Sequence, residues 1–477
     1  MLVNHSKKNK IELSDYNYRR DIENRILMSN FSTFDVEVLE EILNGSIKIR
    51  ITDLATDLDS TFDELYPTIE KLSKTGLLKI QSDTILVNKE MRKYYEFQIL
   101  KFDDTFRPDM EFLQHLLRKV PIHSLPNWYS IPRSSDDIFG SIVEKFFITP
   151  KTYQNYMTEL CLDDRILEGI VNDVYSAPDH KVRSRALREK YELSREEFEV
   201  HLLHLEFNFL CFLSYNRVDN DWKEVVTPIH EWTEYGAFVE ASAPPPIEDT
   251  EKPIPFRDTS FPFVKDMSAV LKIIQEQSLT LDTDLCLSYA DVKLLMLQCE
   301  NMPTPEDDVL PLFRKYFSQV IEKLCEIQLA YIYESELSSS PGDAGYWLQM
   351  SPLDQAMFLL RHPRNFKMTK AFSPTIHTDR NVRSVEKSLA TVNHSDWIYH
   401  EDFLKGMLVT IGDTDGATLI KKGRRWKYEI PIYNDDEKEF IKATLFERLF
   451  QVGIVETGTH KGKDCFHVTK FGLDTAS

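Results

Sequence analysis

Apolar residues recur at helical spacing in several long stretches of the chain, and each stretch is followed by two short runs of strand-like composition. The clearest case is the last. Phe440, Ile441, Leu445, Leu449 and Phe450 form one stripe of period 3.6. Gly453 ends that helix, residues 454–457 leave as a strand, a basic turn covers 458–464, and 465–469 return. Upstream, Leu65, Ile69 and Leu72 form a similar stripe, closed by Gly76 and followed by strands at 77–80 and 84–87. A helix over 195–209 precedes strands at 212–215 and 222–226. A fourth helix carries Phe313, Phe317, Ile321, Leu324 and Ile327; a strand at 331–333, a loose tip at 338–345 and a return strand at 346–350 are expected after it. The partner-facing helices are thus expected near 62–75, 195–209, 310–328 and 436–451.

The exits from the expected hairpins are also alike. Val226-Thr227-Pro228-Ile229, Met350-Ser351-Pro352-Leu353 and Val468-Thr469-Lys470-Phe471-Gly472 place a hydroxyl where it caps the next helix, and proline suits a first helical turn. The order of helix, strand, turn and strand resembles the second half of a winged helix. Leu65-Tyr66-Pro67-Thr68 is similar to the helix of PadR-type repressors. The hydroxyl–proline exit resembles that of winged-helix arrays, including helicase-associated winged-helix regions, although no helicase motif accompanies it. The resemblance implies a mainly helical α+β fold, an array of about four winged-helix units with small two- or three-stranded wings. The expected divisions are an N-terminal arm (1–30), a first unit (31–95), a helical connector (96–148), a second unit (149–238), a Pro-rich acidic linker (239–262), a third unit (263–365), a linker (366–381) and a fourth unit with a basic hairpin insertion (382–477).

Composition narrows the class. With 477 residues, 42% hydrophobic and 12% aromatic, the chain fills several cores and is too apolar for general disorder. No apolar run is long enough to span a bilayer and the start reads as no signal peptide, so a cytoplasmic protein, nuclear in a eukaryote, with no membrane partner is expected. The six cysteines are scattered without a C-x-x-C pair, which fits buried free thiols in a reducing compartment. A net charge of −20 argues against a surface that wraps nucleic acid throughout.

Candidate chemistry is sparse. No phosphate-binding glycine loop, zinc-protease helix or nucleophile elbow occurs, and His201 with His204 reads as a solvated helix face, so no catalytic residue, cofactor or metal is expected and the protein is read as not an enzyme. One cationic cluster stands apart: Lys421, Lys422, Arg424, Arg425 and Lys427 beside Trp426, on two strands joined near Lys422-Gly423. Together with Lys461 and Lys463 of the last turn, these side chains suit phosphate contacts with a stacking ring. Residues 383–477 hold 14 Lys/Arg against 15 Asp/Glu, so nearly all of the −20 lies elsewhere. Two readings are open. The first is a nucleic-acid-associated factor of transcription or chromosome work, touching DNA or RNA through its C-terminal unit. The second is a scaffold whose winged helices dock protein partners, because Asp63-Glu64, Glu196-Glu197-Glu199 and Asp435-Asp436-Glu437-Glu439 stand where a DNA reader carries Arg, Lys or Asn.

Overall fold

Side-chain caps set where several helices of this chain begin, among them those starting at Thr33, Phe62, Arg195 and Asp435. The computed structural model describes residues 18–103, 105–119, 138–160, 162, 164–218, 221–282, 286–362, 368–392, 394–423 and 425–476. It divides into two units: one runs to Ala237 and includes Thr418–Glu429, the other is Phe238–Ala417 with Ile430–Ser477. Helix content dominates, with small antiparallel sheets of two to four strands. Among the described residues no helix is long and apolar enough to cross a membrane.

Unit 1 opens with α1 (Tyr18–Met28) and α2 (Thr33–Asn44). Ser32 and Asp35 form a reciprocal capping box on α2, and Asp35 also accepts from Thr68 (2.6 Å) and Lys71 (2.9 Å). β1 (Lys48–Arg50) and α3 (Ile51–Asp57) follow, then α4 (Phe62–Lys74), which is started by a Thr61–Glu64 capping box. β2 (Leu78–Gln81) and β3 (Thr84–Val87) complete a sheet of order β1–β3–β2. Leu65, Ile69 and Leu72 of α4 are fully buried against α2, and Gly76 (φ +75°) supplies the left-handed step into β2.

A connector of α5 (Lys89–Gln98), a 3-10 turn (Ile99–Phe102), α6 (Met110–Lys119), α7 (Ile138–Ile142, continued as a π-turn to Phe147) and α8 (Pro150–Glu159) leads on. The order then recurs in α9 (Arg165–Ser176), β4 (Val182–Arg183), α10 (Ser184–Lys190), α11 (Arg195–Phe207), β5 (Phe212–Val218) and β6 (Asp221–Thr227), with sheet order β4–β6–β5. Next comes α12 (His230–Ser242). α11 differs from α4 in burying two carboxylates on its inner face. Its Glu199 and Glu206 are fully buried and meet Arg25 of α1, which is 2% exposed, and Lys101 of the connector lies 3.7 Å from Glu206. Burial opposes the Glu206 charge, but Arg25 and Lys101 outweigh it and hold the carboxyl below its ordinary range. For Glu199 burial wins and pushes the carboxyl up to about 7.

In unit 2, β7 (Ile254–Pro255) precedes α13 (Pro262–Glu276), β8 (Leu279–Thr280), α14 (Tyr289–Gln298), α15 (Leu310–Glu326), β9 (Ala330–Tyr333) and β10 (Glu336–Ser339), in sheet order β8–β10–β9. After α16 (Pro341–Gln349) and α17 (Pro352–Arg361), the order appears again as α18 (Asp379–Ser388), β11 (Ile398–Tyr399) and α19 (His400–Gly406). It resumes beyond an insertion with α20 (Asp435–Ala443, continued as a π-turn to Leu449), β14 (Val455–His460), β15 (Lys463–Val468) and α21 (Lys470–Ala476). The insertion holds β12 (Thr418–Lys422) and β13 (Arg425–Glu429). Four left-handed residues, Gly76, Phe209, Gln328 and Gly453, occupy the same place between third helix and hairpin. At Phe209 and Gln328 the strained backbone is kept although a side chain is present.

Several expectations change. The return strand expected at 346–350 is inside α16; the hairpin closes instead through Glu334 (φ +47°) and Ser335 (φ +67°), a two-residue turn without glycine. Its exit is therefore Ser340-Pro341, while Ser351-Pro352 joins two helices. The basic turn at 458–464 shrinks to Lys461-Gly462, because both strands run further. The N-terminal arm contains α1, whose Asp21, Asn24 and Arg25 are buried; polarity there marks partners far along the chain rather than solvent. The linker at 239–262 is not a free spacer. Ile247 donates to Trp397 O (2.8 Å), Asp249 pairs with Lys461, and β7 pairs with β14.

Arg25→Ala leaves two buried carboxylates short of their cation, so urea unfolding of unit 1 should show a loss of about 3–5 kcal/mol. A second test concerns Glu231 of α12, whose Oε1 accepts from Met110 N (2.9 Å) and whose Oε2 has no partner among the described residues. Burial pushes this carboxyl up to about 8. The folded protein then holds a proton that the unfolded chain releases near pH 4.5, so stability is full below that pH and falls as pH rises toward 8. The slope should approach roughly 1.4 kcal/mol per pH unit per group, with Glu199 acting in the same direction, and Glu231→Gln should remove its share in a pH series of denaturant midpoints.

Candidate functional site

The basic insertion is a regular hairpin with two unlike faces. Leu419 pairs with Tyr428, Lys421 with Trp426 and Lys422 with Arg425. Strand alternation therefore puts Leu419, Lys421, Trp426 and Tyr428 on one face and Lys422, Arg425 and Lys427 on the other. The first face packs within unit 1. Leu419 and Tyr428 are buried, Leu419 N donates to Ile148 O (2.8 Å), and the Tyr428 hydroxyl donates to Phe147 O (3.0 Å). The Trp426 ring meets Phe139 edge-on at 5.7 Å, and Lys421 Nζ lies 5.9 Å over the Trp426 ring. Trp426 is thus half-buried packing rather than an open platform for a base.

The predicted phosphate contacts separate accordingly. On the outer face Lys422 is bridged to Glu429 (2.5 Å), while Arg425 and Lys427 are exposed and carry no ion pair among the described residues. Arg424 lies outside the described residues. Lys461 and Lys463 belong to unit 2, where Lys461 pairs with Asp249 and Lys463 with Glu401 (3.4 Å). The Lys461 ammonium, aided by a backbone N–H, holds Asp249 down to about 2. The unit 2 loop ahead of the insertion is held by Glu437, a fully buried carboxylate. It accepts from Asn434 N (2.9 Å), Asp413 N (3.2 Å) and the Thr414 hydroxyl (2.7 Å), so one side chain both caps α20 and anchors that loop.

The carboxylates of the third helices separate by role as well. Glu64, Glu197 and Glu437 each accept the backbone N–H of their own N-cap residue at 2.9 Å. Glu199 is consumed by Arg25 and Arg195. Asp436 is bridged by Lys370 (3.2 Å), which also reaches Glu439. The open face of α4 keeps Asp63, and Glu70 at 3.8 Å from Lys74, beside Phe62 and Tyr66. These two rings are 48% and 39% exposed and stack at 5.3 Å. Residues 33–87 carry 11 Asp/Glu against 5 Lys/Arg. This aromatic pair was missed from sequence, although its i, i+4 spacing outside the Leu65 stripe was a usable signal.

Unit 2 has an apolar cleft of about 820 Å³ lined by Ile254, Phe256, Leu312, Phe313, Phe446 and Phe450. Among the described residues no three His, Cys, Asp or Glu side chains are placed to hold a metal ion. Cys211, Cys299, Cys325 and Cys465 are free thiols, Cys286 takes a hydrogen bond from the Ser318 hydroxyl (3.4 Å), and burial pushes Cys325 and Cys465 up to about 11; Cys161 lies outside the described residues. No protein-family model and no curated protein matches this chain.

Proposed function

We propose that the chain is a non-enzymatic docking scaffold assembled from four winged-helix modules, whose third helices and hairpins take protein partners with basic segments. The recurring order of helix, strand, helix, helix and hairpin, with the first strand beside the last in each sheet, supports the winged-helix reading. The observation that carries the docking reading is the chemistry of the third helices. α11 directs Glu199 and Glu206 inward onto Arg25 and Lys101 while Glu196 stays exposed, and α4 turns stacked aromatics and acids outward. A helix that reads a DNA groove needs cations and amides on its open face, and like charge against phosphate opposes it. Acids around an exposed aromatic pair instead suit a basic, partly apolar protein segment. The free thiols suit a reducing compartment such as the cytoplasm.

One observation favours the nucleic-acid reading: Lys422, Arg425 and Lys427 share the outer face of the basic hairpin. Fluorescence anisotropy of the full chain with random duplex DNA and single-stranded RNA, across a salt series, separates the two. Docking predicts weak binding that is the same in wild type and in the Arg425→Ala/Lys427→Ala double variant. Phosphate contacts by these residues predict that the double variant loses roughly 0.9 of log–log salt slope per contact. Folding should survive, because exposed cations contribute little stability.

A further inference from the structure

In unit 2 one hairpin edge is covered and its counterpart is bare. β14 is the outer strand of its hairpin. Thr469 N donates to Ile454 O (3.0 Å), so alternation turns Ile454 and Glu456 toward β15 and leaves Val455, Thr457 and Thr459 facing the other way. That outward edge is taken by β7: Thr459 pairs with Ile254, Gly458 with Pro255, and Thr457 O accepts from Phe256 N at 2.8 Å. The covering segment reads Lys252-Pro253-Ile254-Pro255-Phe256-Arg257, extended and apolar at alternate positions with a cation at each end.

β9 repeats the geometry without the cover. Gln328 (φ +65°) matches Gly453 (φ +73°), so the fourth residue on is Ile332 in one hairpin and Thr457 in the other. Ser340 N donates to Leu329 O (2.9 Å), which turns Tyr331 and Tyr333 toward β10 and leaves the Ile332 amide and carbonyl on the open edge. β9 has β10 as its only strand neighbour among the described residues. Its side chains are unusually open: Tyr331 is 53%, Ile332 37% and Tyr333 67% exposed. No lysine or proline blunts this strand, and Glu334 and Glu336 stand exposed at its tip. In the hairpin of unit 1 that follows α11, the residue four past Phe209 is Leu213, 1% exposed, so bare apolar edges are not general to the chain.

We infer that the open edge of β9 takes an extended segment of a partner protein, apolar at alternate residues and carrying Lys or Arg, by strand addition. The covered β14 edge supplies the geometry, the two tyrosines supply apolar contact, and Glu334 and Glu336 supply the charge that selects a basic segment. The inference deepens the docking reading but uses a surface apart from α4, so it fails separately from that reading.

The probe is a labelled peptide built on the chain's own covering segment with both prolines replaced, Lys-Thr-Ile-Thr-Phe-Arg, titrated against the full chain. Binding should weaken at least about tenfold in Ile332→Pro, which removes the outward N–H while sparing the bonds to β10. Glu334→Lys/Glu336→Lys should weaken it as well. In wild type the Ile332 amide should exchange more slowly once peptide is added, a readout that stands even where the proline variant fails to fold. Equal binding by a folded Ile332→Pro, an Ile332 amide unchanged by peptide, or self-association of the wild type that Ile332→Pro abolishes would each overturn the proposal; the last would make a second copy the occupant.

Discussion

The pairing of Arg25 with Glu199 and Glu206 is the constraint on which unit 1 depends. All three side chains are out of solvent, and Lys101 and Asp21 join them. The cost of stripping water from five ionisable groups is offset only while they are present together: Arg25 serves both Glu199 and Glu206, Lys101 adds to Glu206, and Arg195 of α11 itself adds to Glu199. The cluster thereby fixes α1 and the connector onto α11. On α11 it takes up Glu199 and Glu206, while Glu196 and Glu197 stay exposed.

A different economy operates at the N-termini of α4, α11 and α20. There a carboxylate closes the capping box, so some acid appears at these starts whatever the function. Glu437 shows how much one such residue can organise, because its second oxygen accepts the Asp413 and Thr414 amides of the loop ahead of the basic hairpin. Only the acids left after capping and pairing bear on recognition, and on α4 that leaves Asp63, beside an exposed aromatic pair. The same filter applies to cations. Lys421, Lys422, Lys461 and Lys463 each have an intramolecular partner, which leaves Arg425 and Lys427 as the open ones among the described residues of the cluster.

The periodic helices were legible in the sequence. The stripes of Leu65, Ile69 and Leu72 and of Phe440, Ile441 and Leu445 located α4 and α20, and Thr84–Val87 was read to the residue. The hairpin after α15 was misread because its turn uses Glu334 and Ser335 in left-handed conformations, while the Pro341-Gly342 that looks like a loop opens a helix instead. The buried ion cluster was hidden for another reason: Arg25 lies more than 170 residues from Glu199 and Glu206, and local pattern carries no trace of such pairing. Glu199 and Glu206 did offer one sign, acids seven apart within an apolar stripe. The covering of β14 by Ile254 and Pro255 was masked by proline, which reads as linker and is tolerated on a strand edge.

Whether the third helices meet proteins rather than nucleic acid is tested most directly on α4. Replacing Tyr66 by a photoreactive phenylalanine derivative and irradiating cells that make the full chain would capture whatever touches that face. Docking predicts adducts with protein through lysine- or arginine-rich segments, suppressed when Phe62 is replaced by Asp. Adducts dominated by DNA or RNA at this position would contradict it.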